Sequence, residues 1–590
     1  MIGHIDGSIA ATTHRFDVVL ADKASLELDD LVVTKQPHDE SEVAHYGIVV
    51  ECMTEIEGAT FSTDTERIAG THTMPGVVAR TATVQVLRAD PEVWIPPIAG
   101  APVERAIGAA RERALFVDQM EEGARLPVGF DRRLEPVYVD FTFLNGEKGA
   151  HASISGISGV ATKTSYALFL LYQLFETELG ARLLGNARVN TKALVFNVKG
   201  EDLLHLDRPN AKFASRPDAR DQWRAVGVEE PGVFQDVAFF APVSPHVGTN
   251  SRATDVQTRP HQDLSIFGWT PMEFVRRGLL RFAFADPSDT RTQVSFVEES
   301  VRPQLLRWAH PCNLNDGSIV MLDPFVERIP RDWDRALAAR RHGRDPGEGT
   351  RVETFSDLVA FIDTFLDTDP VPQEWVGRAA AGTISAFQRR LHAVSRRLGH
   401  LVKTGVQPFE LARAVNVVDL HSLHDDAQRF VVGALLAEIF EHKQGVGREP
   451  LRFIVLDELN KYAPKTGTSP IKELLVDVAA RGRSLGVILL GAQQSAASVE
   501  PTIIENAAIK IVGRLDAGSA DAYKFLGTEL RERATRFLPG TMIIDQPLVP
   551  APIPLRFPFP SYATNVADDV SARVNLHDTQ ALHDLSSEIQ

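Results

Sequence analysis

The sequence predicts an α/β protein with a mostly parallel sheet, preceded by a small all-β barrel and interrupted by a helical insertion. Three observations carry this. Residues 1 to about 100 hold short runs rich in Val, Ile and Thr with partial period-two alternation, and no helical pattern of any length interrupts them. From about 136 onward, short apolar runs alternate with amphipathic stretches, as expected of parallel strands covered by helices on both faces. Between about 265 and 410 that rhythm gives way to Arg-bearing helical stretches.

Taken in order, the first strands are Phe16 to Leu20, Tyr46 to Met53 and Thr81 to Leu87, and the proline-rich stretch Trp94 to Pro102 bounds the barrel. The α/β strands are Pro136 to Phe143, Ala150 to Ser155, Ala193 to Val198, Val415 to Leu420, Phe453 to Leu456, Val487 to Leu490 and Ile509 to Val512. Helices are expected over Lys163 to Leu179 and Ala427 to His442, and in the insertion over Trp333 to Arg341 and Ile384 to Arg397. Prolines 547, 550, 552, 554, 558 and 560 are expected to end regular structure, leaving a tail with a short terminal helix. The resulting division is 1–100 barrel, 101–260 and 411–545 the two parts of the α/β core, 261–410 insertion and 546–590 extension.

With 590 residues, 44% hydrophobic and 24% charged, the chain has an ordinary globular composition and enough apolar side chains for a large core. The net charge of −16 argues against a surface that coats nucleic acid as a whole, yet is compatible with DNA held in one basic channel. Cys52 and Cys312 are the only cysteines, which excludes a disulfide scaffold and disfavours a Cys-based zinc site. The N-terminus lacks the pattern of a secretory signal, and no stretch approaches the roughly 18 apolar residues of a membrane span. A soluble protein of the reducing cytoplasm is the expectation.

Four features carry chemistry. Ser155-Gly-Ile-Ser-Gly-Val-Ala-Thr-Lys-Thr-Ser165 lies between a strand and a long helix, where glycines let backbone N–H groups surround phosphate, a lysine reaches the β and γ phosphates and the next hydroxyl binds Mg²⁺. Lys163 and Thr164 fit the last two roles, with Gly156, Gly159, Thr162 and Ser165 as the loop's further candidates. The glycines depart from the pattern: Gly156 precedes Lys163 by seven residues where the pattern has six, and Thr162 replaces the glycine before the lysine. A Gly/Ser turn between strand and helix is the alternative. Second, Arg452 to Asn460 reads as an apolar strand ending in two carboxylates, where Asp457 can support Mg²⁺ and Glu458 can polarise water; a helix cap is the alternative.

Third, the strand from Gly486 ends in Gln493, placed either to touch a γ-phosphate or to cap the next helix. Fourth, Arg481 and Arg483 close the preceding helix, as candidates for neutralising phosphate charge or as ordinary helix-end cations. Lys461 and Lys465 follow the carboxylate strand and are candidate DNA contacts or solvated loop lysines.

In this order, the Lys-Thr loop, the Asp-Glu strand, Gly-Arg-x-x-Gly, the Gln at a strand end and Ile509-Lys-Ile-Val-x-Arg-Leu515 resemble the HerA branch of the HerA/FtsK ATPases. The β-rich start, with His45-Tyr-Gly-Ile-Val-Val-Glu51 and Ile56-Glu-Gly58, is similar to the barrel that HerA proteins share with ATP synthase subunits. The resemblance spans roughly 1 to 250 and 410 to 560. It implies a RecA-like P-loop core in a homohexameric ring that uses ATP and Mg²⁺ to move or unwind double-stranded DNA beside a NurA-type nuclease, in DNA end processing and repair. It further implies that Lys163 and Thr164 bind phosphates and Mg²⁺, Asp457 supports the metal, Glu458 is the catalytic carboxylate and Gln493 senses γ-phosphate. Arg483, or failing it Arg481, would reach the neighbouring subunit's nucleotide. Asn197-Val-Lys-Gly-Glu201 occupies the place of the family's Asp-Pro-x-Gly-Glu turn, with Asn197 in place of the acid and Glu201 left as the polar contact. Two other readings of the same chain are a motor in an anti-phage complex with a sirtuin-like or nuclease effector, and a nucleotide-gated scaffold with little turnover.

Overall fold

The structure, a computed structural model, describes residues 1–157, 162–245, 253–285, 294–322, 333 and 349–569. Gly159, the expected helix from Trp333 to Arg341 apart from Trp333 itself, and the expected terminal helix lie outside the described residues. The chain divides into two units: Met1–Phe141 with Arg224–Gly227 and Ile509–Pro558, and Thr142–Trp223 with Val228–Ala508 and Phe559–Gln590.

In the first unit, β1 (Gly3–Ile5), β2 (Arg15–Leu20), β3 (Leu31–His38), β4 (Ser41–Glu57), β5 (Val77–Asp90) and β6 (Pro102–Arg105) close an antiparallel barrel in the order β1-β2-β5-β4-β3-β6. Period-two side chains explain the closure. Phe16 and Val18 of β2 point inward, opposite Val84 and Ala82 of β5, and join Val32, Val49 and Val103 in one core. The last strand, β6, follows the proline-rich segment.

The same unit contains β7 (Arg125–Phe130), β8 (Pro136–Asp140), β19 (Ile509–Val512), β20 (Thr541–Gln546) and β21 (Val549–Arg556). They pair antiparallel in the order β19-β20-β21-β7-β8. Two expectations change here. The strands at 136 and 509, read as parallel, are antiparallel to β7 and β20. For β8 the reason is local, since the tight turn from Asp131 to Glu135 joins it to β7 and such a short link permits only a hairpin. Prolines 550, 552 and 554 do not end regular structure but lie inside β21. Recurring at every second position, they place all their missing N–H groups on one side of the strand and leave Ala551, Ile553 and Leu555 to face β20.

The second unit is built on a wholly parallel run of strands: β9 (Ala152–Ser155), β10 (Lys192–Asn197), β11 (Val237–Pro242), β12 (Ser265–Phe267), β16 (Val415–Asp419), β17 (Arg452–Leu456) and β18 (Val487–Gln493). Their order is β12-β11-β16-β10-β17-β18-β9. Buried on both faces, β17 and β18 are nearly continuous in Val, Ile, Leu and Phe. β11 and β12 escaped the sequence reading, the latter because it lies within the stretch read as insertion.

The longer helices are α1 (Thr162–Phe175), α2 (Val294–Trp308), α3 (Phe355–Leu366), α4 (Ala381–Leu398), α5 (Asp425–Val446) and α6 (Pro470–Leu485). α6 starts where its sequence says it should: Ser469 accepts the N–H of Lys472 at 3.2 Å, Pro470 is the first helical residue, and Gly486 closes the helix at φ +65°. The insertion helices α2, α3 and α4 are accompanied by the antiparallel strands β13 (Ala309–Asn313), β14 (Ser318–Met321) and β15 (Thr350–Val352). Phe274, Phe282, Trp308, Phe355 and Phe387 of this region share one core with Phe430 and Leu435 of α5. Among the described residues no helix is long and apolar enough to cross a membrane.

Candidate active site

Parallel strands deliver their carboxyl ends to a common edge, and three adjacent ones arrive there with polar residues. In order across the sheet, β17 leads into Asp457 and Glu458, β18 ends in Gln493, and β9 ends in Ser155. The strand bearing the glutamine thus lies between the loop strand and the carboxylate strand.

α1 begins at Thr162, so Lys163 and Thr164 stand on its first turn, directly after the loop. Lys163 is buried at 5% exposure, and its Nζ has no hydrogen-bond partner among the described residues. Burial pulls its pKa below the ordinary lysine value, opposed by the charges of Asp457 and Glu458. A buried ammonium without a hydrogen-bond acceptor is costly, and an anionic ligand relieves that cost. Thr164 Oγ1 donates to Asp457 Oδ2 at 3.2 Å. A hydroxyl and a carboxylate oxygen side by side form the hard-oxygen donor set that suits Mg²⁺. Ser165 is buried behind them, and Gly156 donates its N–H to the Gln493 carbonyl at 3.2 Å.

The turn after β17 is strained. Glu458 adopts the left-handed region, at φ 54° and ψ 46°, and Asp457 Oδ1 accepts its N–H at 2.8 Å. For a non-glycine residue that conformation costs about 1–3 kcal/mol and persists only where the surroundings enforce it. Here the following helical turn, Leu459–Tyr462, enforces it through Lys461 N–H to Glu458 C=O at 2.7 Å and the fully buried Tyr462.

Gln493 is completely buried. Its amide donates to Ser153 Oγ at 2.7 Å and Ser155 Oγ at 2.9 Å, while its Oε1 has no partner among the described residues. The glutamine therefore ties β18 to β9 by both side chain and backbone.

Two sets of contacts escaped the sequence reading, although Asn197 itself is marked there as the residue in place of the family's acid. Lys199, on the turn after β10, reaches Glu458 Oε1 at 3.0 Å and Asp457 Oδ2 at 3.5 Å. Burial lowers its pKa, but the two carboxylates outweigh it and the net direction is upward. Next along the edge, Asn197 donates to Asp419 Oδ1 at 2.9 Å, and Asp419, fully buried at the end of β16, lies 2.9 Å from His421 Nδ1. That bond raises the His421 pKa in spite of partial burial. The carboxylate at the end of the strand from Val415 was a usable signal; nothing local in sequence brings Lys199 to Asp457.

The other expected site residues make further contacts, and Glu201 Oε1 also lies 3.8 Å from His421 Nε2. Glu201 accepts the backbone N–H groups of Gln257 at 2.9 Å and Thr258 at 2.7 Å, together with the Thr258 hydroxyl. Arg481 pairs with Asp477 one turn earlier on α6 and lies over the Phe440 ring at 5.0 Å. Arg483 donates to the Glu147 carbonyl at 2.7 Å. The glycine between the two arginines has a packing reason, since a Cβ at Gly482 would come within 2.5 Å of the Val487 carbonyl and 2.9 Å of His151. Lys461 Nζ is held by Asp425 Oδ1 at 2.7 Å and Gln428 Oε1 at 2.5 Å, whereas Lys465 is exposed. Thr162 opens the helix, and Gly159 lies outside the described residues.

No family model matches the chain, and no curated protein matches it. Solved structures similar to it include VirB4 of Thermoanaerobacter pseudethanolicus, 13% identical over 74% of this chain and 97% of that one, with a TM-score of 0.43. The bacterial conjugative coupling protein TrwBdeltaN70 is 11% identical over 77% of this chain and 92% of that one, also at 0.43. The plasmid coupling protein TrwB in complex with ADP and Mg²⁺ is 11% identical over 77% and 93%, at 0.42.

Proposed function

We propose that this edge binds Mg·ATP and hydrolyses it, and that the chain works as the ATPase subunit of a homohexameric motor on double-stranded DNA. The observation that carries the nucleotide reading is the buried Lys163 Nζ, without a hydrogen-bond partner among the described residues, beside the Thr164–Asp457 bond. Mg²⁺, held by Thr164 and Asp457, would supply charge neutralisation for the phosphates. Lys163 contributes a fixed positive charge to the β and γ phosphates and is relieved of its unpaired burial when they arrive. Glu458, fixed by its strained backbone, orients a water in line with the γ-phosphate and accepts its proton. Gln493, bonded to both loop-strand serines, transmits displacement of the loop to β18.

The order of these motifs along the chain supports the motor reading, with a NurA-type nuclease as the partner in end processing and Arg483 as the residue contributed to a neighbouring subunit's nucleotide. Hydrolysis stimulated by duplex DNA is the expected result for the purified chain. Mixing Glu458→Gln with Arg483→Ala subunits should restore part of the activity that each has lost, because boundaries combining an intact Glu458 with an intact Arg483 then form at random. Arg483→Ala and Arg481→Ala subunits that each hydrolyse ATP normally alone would exclude both arginines as the residue shared between subunits.

A further inference from the structure

Two lysines stand at the same edge with opposite fates. Lys163 Nζ is buried and without a hydrogen-bond partner among the described residues, whereas Lys199, with a side chain 46% exposed, sits on both carboxylates of the turn after β17. Asp457 and Glu458 attract Lys163 as well, and Lys199 repels it. A buried ammonium next to two carboxylates gains by pairing with them, since an ion pair with hydrogen bonds offsets desolvation that an isolated charge cannot. Lys163 has not done so, and three of the four carboxylate oxygens are engaged by other groups. Asp457 Oδ1 accepts the Glu458 N–H, Asp457 Oδ2 accepts Thr164, and Lys199 bridges Asp457 Oδ2 and Glu458 Oε1.

We propose that Lys199 is a positioning residue for nucleotide binding: by occupying the Asp457 and Glu458 carboxylates it keeps Lys163 unpaired and available to a phosphate. The inference deepens the nucleotide reading and rests on it. Without Lys199, the pull of the two carboxylates on Lys163 is unopposed, and a phosphate must then compete with Glu458 for the same ammonium. The defect belongs to binding, so KM for ATP rises while kcat at saturation falls much less. It is a defect of charge, so a guanidinium at the same place corrects it and an uncharged stem of similar length does not.

Binding of a fluorescent ATP analogue with Mg²⁺, measured directly alongside turnover, tests this in the full chain. Lys199→Met should weaken binding by ~10-fold, and Lys199→Arg should stay within ~3-fold of the unmodified protein. The deciding variant is Lys199→Met combined with Glu458→Gln. Removing the competing carboxylate charge should release Lys163, so the double variant should recover most of the lost affinity although it cannot turn over. Lys199→Met that binds normally, or a double variant as weak as Lys199→Met, overturns the role of Lys199 while leaving the nucleotide reading intact. An unmodified chain that binds no nucleotide overturns both.

Discussion

The apolar interior of the barrel and the carboxyl edge of the parallel sheet are built differently. Inside the barrel, Ile5, Phe16, Val18, Val32, Val49, Val84 and Val103 are all apolar and buried, and the nearby buried carboxylate, Asp30, is paired with Arg133 at 2.8 Å and with Arg105. At the sheet edge, a buried lysine and a buried glutamine oxygen lack partners among the described residues, and a glutamate is held in a strained conformation. Each of those features costs stability and none helps folding. A fold retains such costs where chemistry requires groups that are desolvated and held ready, so the contrast separates a region built to persist from one built to act.

The sharpest way to break this comparison is Glu458→Gln. It should lower hydrolysis by ~10³-fold or more while ATP still binds, and stability should stay nearly level, because the Glu458 side chain is only half-buried and its partly exposed pair with Lys199 contributes little. Single-turnover assays with trapped nucleotide, run beside thermal melts, check both halves. In the barrel the mirror image is expected: Phe16→Ala should cost about 3–5 kcal/mol of stability, by cavity formation in a core that cannot collapse fully. The diagnostic comparison is Mg·ATP binding by the second unit at temperatures where the variant's barrel has melted.

A third effect concerns pH. His151, buried at the foot of β9 with its Nδ1 accepting the Leu489 N–H at 3.0 Å, is held neutral by burial, which lowers its pKa from 6.5 to about 4. A lowered histidine pKa gives stability that is complete above 6.5 and lost as pH falls toward 4, because there only the unfolded chain takes up the proton. The loss is about 3 kcal/mol. Urea melts at pH 7 and pH 4.5 should show it, and His151→Gln should lack this share of the acid sensitivity. The smallest effect is expected at His421, which lies on the acting edge and behaves oppositely. Its pKa is raised by the Asp419 hydrogen bond, so its contribution is complete below about 6.5 and fades as pH rises through the raised value. The stability difference between the unmodified protein and His421→Gln should be largest at pH 6 and shrink toward pH 9. A difference that grew with pH would show that folding lowers the His421 pKa instead of raising it.

What the sequence alone determined was everything that repeats along the chain or depends on near neighbours. Alternation in β2 set the barrel's interior, continuous apolar runs set β17 and β18 as buried parallel strands, and Ser469, Pro470 and Gly486 set both ends of α6. Motif order likewise marked Lys163, Thr164, Asp457, Glu458 and Gln493, because residues at the carboxyl ends of parallel strands are carried to one edge whatever the loops between them do. Tertiary structure alone decided the rest. Prolines that read as a stop became a strand because β20 offered a partner for the alternate N–H groups of β21. Lys199 met Asp457 and Glu458 because β10 and β17 pair in register, Phe196 against Leu456, which brings their two following turns together. Glu201 turned instead to the backbone of Gln257 and Thr258. Such pairings depend on which strands become neighbours, a property of the whole sheet that no local window of sequence contains.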